Sequence, residues 1–247
     1  MERVLSSVEK AGKMSDLVVF PEYCMGFPQE GLSRKYLDDL AEPLTGAFVS
    51  ATTEVSKRLK VTVVVPIFEK SNGSVYNTAV VIDNGRVLGG YRKVHLFDAF
   101  GYRESDMFSA GSSPLTFKVG EMTFGLAICY DVRFPELIRA EVVSGAKAVI
   151  APAGWYAGPL KEEQWLSVLM ARAQENTSYM IGVGNANRTF IGRSVVVDPL
   201  GIKIMDLAAG DRMGFCELEE SRVQKAREAL PVLKQARSTV YMPCVQL

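Results

Sequence analysis

The stretch Phe124–Leu137, FGLAICYDVRFPEL, decides how this chain is read. Its first five residues are an apolar run of the kind that forms a buried strand. Cys129 ends the run, residues 130–133 turn, and Pro135 stands where a helix begins, with Gly145 just past that helix's end. A strand–turn–helix junction exposes a side chain at the sheet edge and aims main-chain N–H groups at an oxyanion. A helix N-terminus close by favours the thiolate. Free cysteines are more often packing residues than reagents, so the rest of the chain must supply a base and a group that holds negative charge.

Outward from this stretch, strands and helices alternate. Upstream, LTFKV, the turn Gly120-Glu121 and MTFGLAIC form a hairpin, and SVYNTAVVI and RVLGGYRKV form another around Asp83-Asn84-Gly85. DLVVFP and VTVVVPIF are short buried strands, and helices are expected over the first dozen residues and over 44–59. Residues 94–114 are an irregular polar loop, long enough to be functional. Downstream, KAVIAPA is a strand, and KEEQWLSVLMARAQEN is a helix with an apolar stripe at Trp165, Leu169 and Ala173. SYMIGVGN, GRSVVVD, IKIMDL and MGFCEL read as strands, ESRVQKAREAL as a helix and the end of the chain as a mostly extended tail. No repeat or linker divides the chain. The pattern points to one sheet-rich α/β layered domain over residues 1–247, with helices outside.

Composition removes several function classes. Lys+Arg and Asp+Glu both number 28, and no basic run marks a nucleic-acid surface. No apolar run reaches the roughly 18 residues of a membrane span, and the N-terminus lacks the apolar core of a signal peptide, so a cytoplasmic protein without membrane partners is expected. The four cysteines, Cys24, Cys129, Cys216 and Cys244, form no CxxC pair and no zinc-ligand spacing, so neither a metal nor a thiol-redox function is indicated. With one histidine, His95, a mechanism needing two is excluded.

Two charged residues at strand ends complete the chemistry that Cys129 needs. Glu22 follows the strand LVVF and Pro21. Burial there raises its pKa, which suits a general base or acid near neutral pH. The other reading is a half-exposed loop glutamate. Lys93 ends a third strand, where its ammonium could sit beside an oxyanion; the other reading is a solvated lysine. His95 is an alternative base, but no orienting partner for it is identifiable. Cys24 is a rival thiol without a junction into a helix and reads as packing.

Together, FPEY at Glu22, YRKVHLFD at Lys93 and AICYDVRFPEL at Cys129 resemble, in order, the signature of the nitrilase superfamily of carbon-nitrogen hydrolases. WLSVLMARAQEN, GRSVVVDPLG and LPVLKQARSTVY also look like family segments, so the resemblance covers nearly the whole chain. It implies a four-layer α-β-β-α sandwich with the site at the strand ends. Cys129 would be the nucleophile, Glu22 the general base, Lys93 the stabiliser of the tetrahedral intermediate, and Glu104 the second glutamate found after the lysine. No cofactor or metal is implied. Family members typically dimerise with tails crossing over, so at least a homodimer is expected, with residues 230–247 at its interface.

Within the superfamily, CYDVRFPEL looks most like the omega-amidase and deaminated-glutathione amidase branch, whose substrates carry a carboxylate. The implied reaction is hydrolysis of an amide of a small carboxylic acid through a Cys129 thioester. Tyr130 would bind substrate beside the nucleophile, and Arg103, Arg133 or Arg188 would take the carboxylate. Gln164 departs from the histidine that relatives often have before the tryptophan. Relatives also begin with a strand that this chain apparently lacks, since Met1 falls at the first helix; a misassigned start is the expected explanation. The competing functions are a nitrilase or carbamoyl-amino-acid hydrolase with the same residues, and a non-catalytic scaffold or ligand-binding member.

Overall fold

The valine-rich runs of this chain form two sheets, each covered by helices. The computed structural model describes residues 1–237 and residue 240. The first sheet has four strands in the order β1 (Leu17–Val19), β2 (Thr62–Ser71), β3 (Ser74–Asp83) and β4 (Arg86–Arg92). β1 runs parallel to β2, and the other pairings are antiparallel. Among the described residues β1 has a partner strand on one side only. The turn between β3 and β4 is the expected Asn84-Gly85, with φ of 48° and 80°.

A miniature hairpin follows, β5 (Asp98–Ala99) with β6 (Tyr102–Arg103), and then a single 3-10 turn at Glu104–Asp106. The stretch expected to be irregular is therefore partly built. The second sheet comprises β7 (Thr116–Val119), β8 (Met122–Leu126), β9 (Ala148–Ala153), β10 (Tyr179–Gly184), β11 (Val195–Val197) and β12 (Lys203–Asp206). Its six strands lie in sequence order across the sheet. β8, β9 and β10 are parallel neighbours, and the outer pairs are antiparallel.

Burial on both faces explains why the strands read as continuous apolar runs rather than alternating ones. Along β2 and β3, Val63, Val65, Ile67, Val80 and Ile82 pack with helices α1 (Glu2–Ala11) and α3 (Ala47–Leu59) through Val4, Val8, Phe48 and Val49. The intervening Val64, Ala79 and Val81 face the other way, into the core shared with Leu126, Ile150 and Met180 of the second sheet. Beyond that sheet lie α4 (Pro135–Val143) and α5 (Lys161–Asn176), so the layers run helix, sheet, sheet, helix. The expected stripe on α5 holds: Trp165, Leu169 and Ala173 are all buried.

Two local readings need correction, and one helix is added to them. Residues 34–40 form a helix, α2 (Arg34–Leu40), capped by the Ser33 hydroxyl, which accepts from Tyr36 N. MGFCEL, expected as a strand, is irregular, and Met213 and Phe215 are exposed. Its alternating pattern cannot form a ladder without a neighbouring strand, and among the described residues it has none. After α6 (Glu220–Ala229), the expected extended tail starts with a short helix, α7 (Val232–Gln235). Most of the remaining tail, including Tyr241, Met242 and Cys244, lies outside the described residues.

Candidate active site

Three strand ends converge. β1 leads through Phe20 and Pro21 to Glu22, β4 leads to Lys93, and β8 leads through Ala127 and Ile128 to Cys129. Lys93 Nζ lies 3.1 Å from Glu22 Oε1 and 2.8 Å from Glu104 Oε2. All three side chains are almost wholly buried. One ammonium between two carboxylates leaves a net negative charge away from water. Such a cluster persists only when its remaining lone pairs are bonded.

They are bonded. Glu22 Oε2 accepts the Gly154 N–H at 2.6 Å, and its Oε1 accepts Asn77 Nδ2 at 2.7 Å. The same Asn77 amide reaches Glu104 Oε1 at 3.2 Å, and Glu104 Oε2 accepts the Phe97 N–H at 2.7 Å. Asn185 Nδ2 donates to the Glu22 carbonyl at 2.9 Å. Gly154 must be glycine, because a Cβ would stand 2.6 Å from the Tyr23 ring and 3.2 Å from Glu22 Oε2.

The electrostatics follow from burial. Burial pushes the Glu22 carboxyl above its usual range, with Lys93 opposing and Glu104 adding. Burial works against the Lys93 ammonium too, but Glu104 and Glu22 outweigh it and hold the group charged well above the usual lysine range. Burial, then the Glu22 charge, pushes the Cys129 thiol well up, against the pull of Lys93. The sequence expectation that a helix N-terminus would favour a thiolate is therefore corrected. The helix begins only at Pro135, and burial, reinforced by the enclosed carboxylates, dominates the thiol. Burial and the neighbouring carboxylate thus favour the neutral thiol over the thiolate.

Cys129 opens a 3-10 turn, Cys129–Arg133, with φ of 49°. Tyr23, beside Glu22, also has positive φ, at 64°. Non-glycine residues in this region are strained and gather at functional sites. Asp131 fixes the turn. Its buried carboxylate accepts the Ile128 N–H at 2.9 Å, the Tyr91 hydroxyl at 2.7 Å and the His95 N–H at 2.8 Å. His95 Nδ1 lies 2.8 Å from the same carboxylate, and its ring stacks on Phe134 at 3.6 Å. The orienting partner that the sequence did not reveal for His95 is thus Asp131, and this contact ties the strand end carrying Lys93 to the turn carrying Cys129. Cys24 is packed among the valines, donates to the Pro66 carbonyl, and has its thiol pushed up to about 12 by burial.

A cleft of about 380 Å³ of empty space, counting its open mouth, reaches Cys129 and Lys93. That is at the small end of ligand sites. Its walls are largely aromatic, with Phe97, Tyr130, Trp155 and Tyr156. Of the three candidate arginines, Arg133 lines the cleft, and Arg103 and Arg188 do not. Arg103 is 70% exposed and lies 3.5 Å from Asp106, and Arg188 is exposed, so neither reaches the place expected of a substrate ligand. Arg133 stacks over Trp155 at 4.6 Å and donates to Gln164 Oε1 at 3.0 Å. Sequence reasoning missed Asn77, Gly154, Asn185 and Lys161. Only Asn77 left a signal, as an amide inside the apolar strand SVYNTAVVI.

Residues 1–228 match the model of the carbon-nitrogen hydrolase family. A deaminated glutathione amidase of Escherichia coli O157:H7 is 38% identical over 200 residues, spanning 80% of this chain and 76% of that protein. A 2-oxoglutaramate amidase of Bacillus subtilis is 30% identical over 241 residues, spanning 95% of this chain and 90% of that one. The solved structure of Saccharomyces cerevisiae Nit3, a member of branch 10 of the nitrilase superfamily, is similar with a TM-score of 0.83 at 27% identity. That match covers 96% of this chain and 89% of the yeast chain.

Proposed function

The chain belongs to the carbon-nitrogen hydrolase family, and from that premise we propose that it hydrolyses an amide of a small carboxylic acid to the acid and ammonia through a Cys129 thioester. The observation that carries this reading is the Lys93 ammonium held between Glu22 and Glu104 in the cleft that Cys129 lines. A protonated sulfur needs a base in contact. Glu22, its own carboxyl raised by burial, is matched to take that proton as sulfur attacks the amide carbon.

The carbon–sulfur bond forms as the carbonyl electrons move to oxygen. Lys93 and the Tyr130 N–H, which has no main-chain acceptor among the described residues, are the groups assigned to that oxyanion. Glu104 and Asn77 hold Lys93 and Glu22 in register. The Glu22 proton passes to the leaving nitrogen, ammonia departs, and the thioester remains. Water gives its proton to Glu22 and its oxygen to the acyl carbon. The acid leaves and the proton returns to sulfur. Of the arginines expected to bind the substrate's carboxylate, we assign Arg133, since it lines the cleft.

The test is ammonia release from a panel of monoamides of small dicarboxylic acids, with intact-mass detection of the adduct on the protein. The wild type should release ammonia and carry an acyl group on Cys129, and Cys129→Ala should do neither. Turnover of nitriles but not amides would replace the reading with the nitrilase one. A Cys129→Ala protein equal to wild type would end it.

A further inference from the structure

The mouth of the cleft holds a cation that the proposed chemistry leaves unused. Lys161, the first residue of α5, lines the cleft with its side chain half-buried. Among the described residues no carboxylate lies within ion-pair distance of its ammonium. The neighbour it has is the Phe100 ring, whose centroid is 4.2 Å from Nζ. The other strongly engaged cations around this sheet edge behave differently. Arg193 is paired with Glu162 and Asp206, Arg92 with Glu69, and Lys93 with two carboxylates. Arg133, which lines the cleft with Lys161 and Lys93, has among the described residues only the neutral Gln164 amide and the Trp155 face. The cleft therefore presents two positive charges without counter-ions against an aromatic wall.

The backbone around Lys161 is arranged to present it. Phe100 sits at the tip of the β5–β6 hairpin with φ of 55° and is 79% exposed, followed by Gly101 at 80°. Leu160, immediately before Lys161, has φ of 56° and is 68% exposed. Two large, exposed apolar residues are thus held in a left-handed conformation, one next to Lys161 in the chain and one with its ring over the ammonium. Strained, exposed apolar residues of this kind are retained where they cover a ligand. The Lys161 carbonyl accepts Trp155 Nε1 at 3.0 Å, which locks the lysine's position to the cleft wall.

We propose that Lys161 is a specificity-determining residue: it pairs with a carboxylate of the substrate remote from the scissile bond, beneath the Phe100 ring. The proposal rests on the amidase reading for its substrate, but its test does not. A point charge on a flexible stem tolerates a carboxylate in several orientations, whereas the Arg133 fork is already fixed at one edge and one face. Lys161 therefore shares the substrate's carboxylate with Arg133 and adds attraction that the fixed fork alone does not supply.

The experiment compares the monoamide of a five-carbon dicarboxylic acid with the neutral five-carbon amide. The ratio of kcat/KM for the acidic over the neutral amide should fall about tenfold or more in Lys161→Met, and Lys161→Arg should restore most of it. Calorimetric binding of both amides to Cys129→Ala, with and without Lys161→Met, gives the same comparison without turnover. An unchanged ratio in Lys161→Met, with turnover intact, overturns the assignment and leaves the amidase reading standing. Lysine-dependent binding of the acidic amide, with no turnover of any amide by wild type, supports the assignment and defeats the amidase reading. Neither turnover nor lysine-dependent binding overturns both.

Discussion

Asp131 performs no step of the proposed chemistry, yet its carboxylate decides where the reacting groups stand. Buried and bonded to Ile128 N, Tyr91 Oη and the main-chain N–H and ring Nδ1 of His95, it joins the segment of Lys93 to the turn of Cys129. In Asp131→Asn one amide N–H must face one of these donors. The expected result is a fall in kcat on the order of 100-fold with KM little changed, since small misplacements cost this much, and a folded far-UV CD spectrum. Steady-state kinetics check it, and an unchanged kcat would show that the tie is not needed. The residue-scale reading of the sequence proposed Cys129, Glu22 and Lys93 as candidates from their places at strand ends, and the family resemblance joined them and added Glu104. It passed over Asp131, which stands two residues from the nucleophile in the quoted stretch, because its partners Tyr91 and His95 come from a strand end far away in sequence. Arg103 and Arg188 were indistinguishable from Arg133 as letters, and only exposure separates them.

Helix α4 brings a second acid into the core. Glu141 is fully buried, its Oε1 accepts the Leu115 N–H at 3.2 Å, and its Oε2 has no partner. Burial, opposed by the main-chain N–H groups of Leu115 and Leu126, raises its pKa from the ordinary 4.5 to about 7. The folded state therefore keeps a proton that the unfolded chain releases. Between these two values stability falls as pH rises, by on the order of 3 kcal/mol in all, and it levels off above the upper one. Glu141→Gln should lose this slope. Urea unfolding at about pH 5 and about pH 8 measures it, and parallel stability curves for the two proteins would refute it. Among the elements, the hairpins and α5 were legible because turn chemistry and period-four burial are local. α2 was overlooked although Ser33 and its cap were present, and MGFCEL was misread because strand pattern without a partner does not make a strand.

The homodimer expected from the resemblance is, for the whole molecule, a proposal with its own check. Single exposed apolar residues such as Val143 and Phe215 are ordinary on a protein surface and do not mark a face by themselves. Sedimentation equilibrium should give at least twice the monomer mass, and a chain ended at Leu230 should lose it. A full-length monomer at all concentrations, or a dimer that survives the truncation, would overturn the assigned role of the tail. No helix among the described residues is long and apolar enough to cross a membrane. The sequence by itself determined the alternation of strands and helices and the hairpin turns, and it offered the candidate reacting side chains, because backbone preference, periodicity and functional-group chemistry are properties of short stretches. Only the tertiary structure decided that β1, β4 and β8 end at one place, that Asn77 bridges two carboxylates, that burial pushes the Cys129 thiol up, and that Lys161 rather than Arg103 or Arg188 joins Arg133 in the cleft. Distance and burial set electrostatic energies, and both arise from contacts between residues the chain keeps far apart.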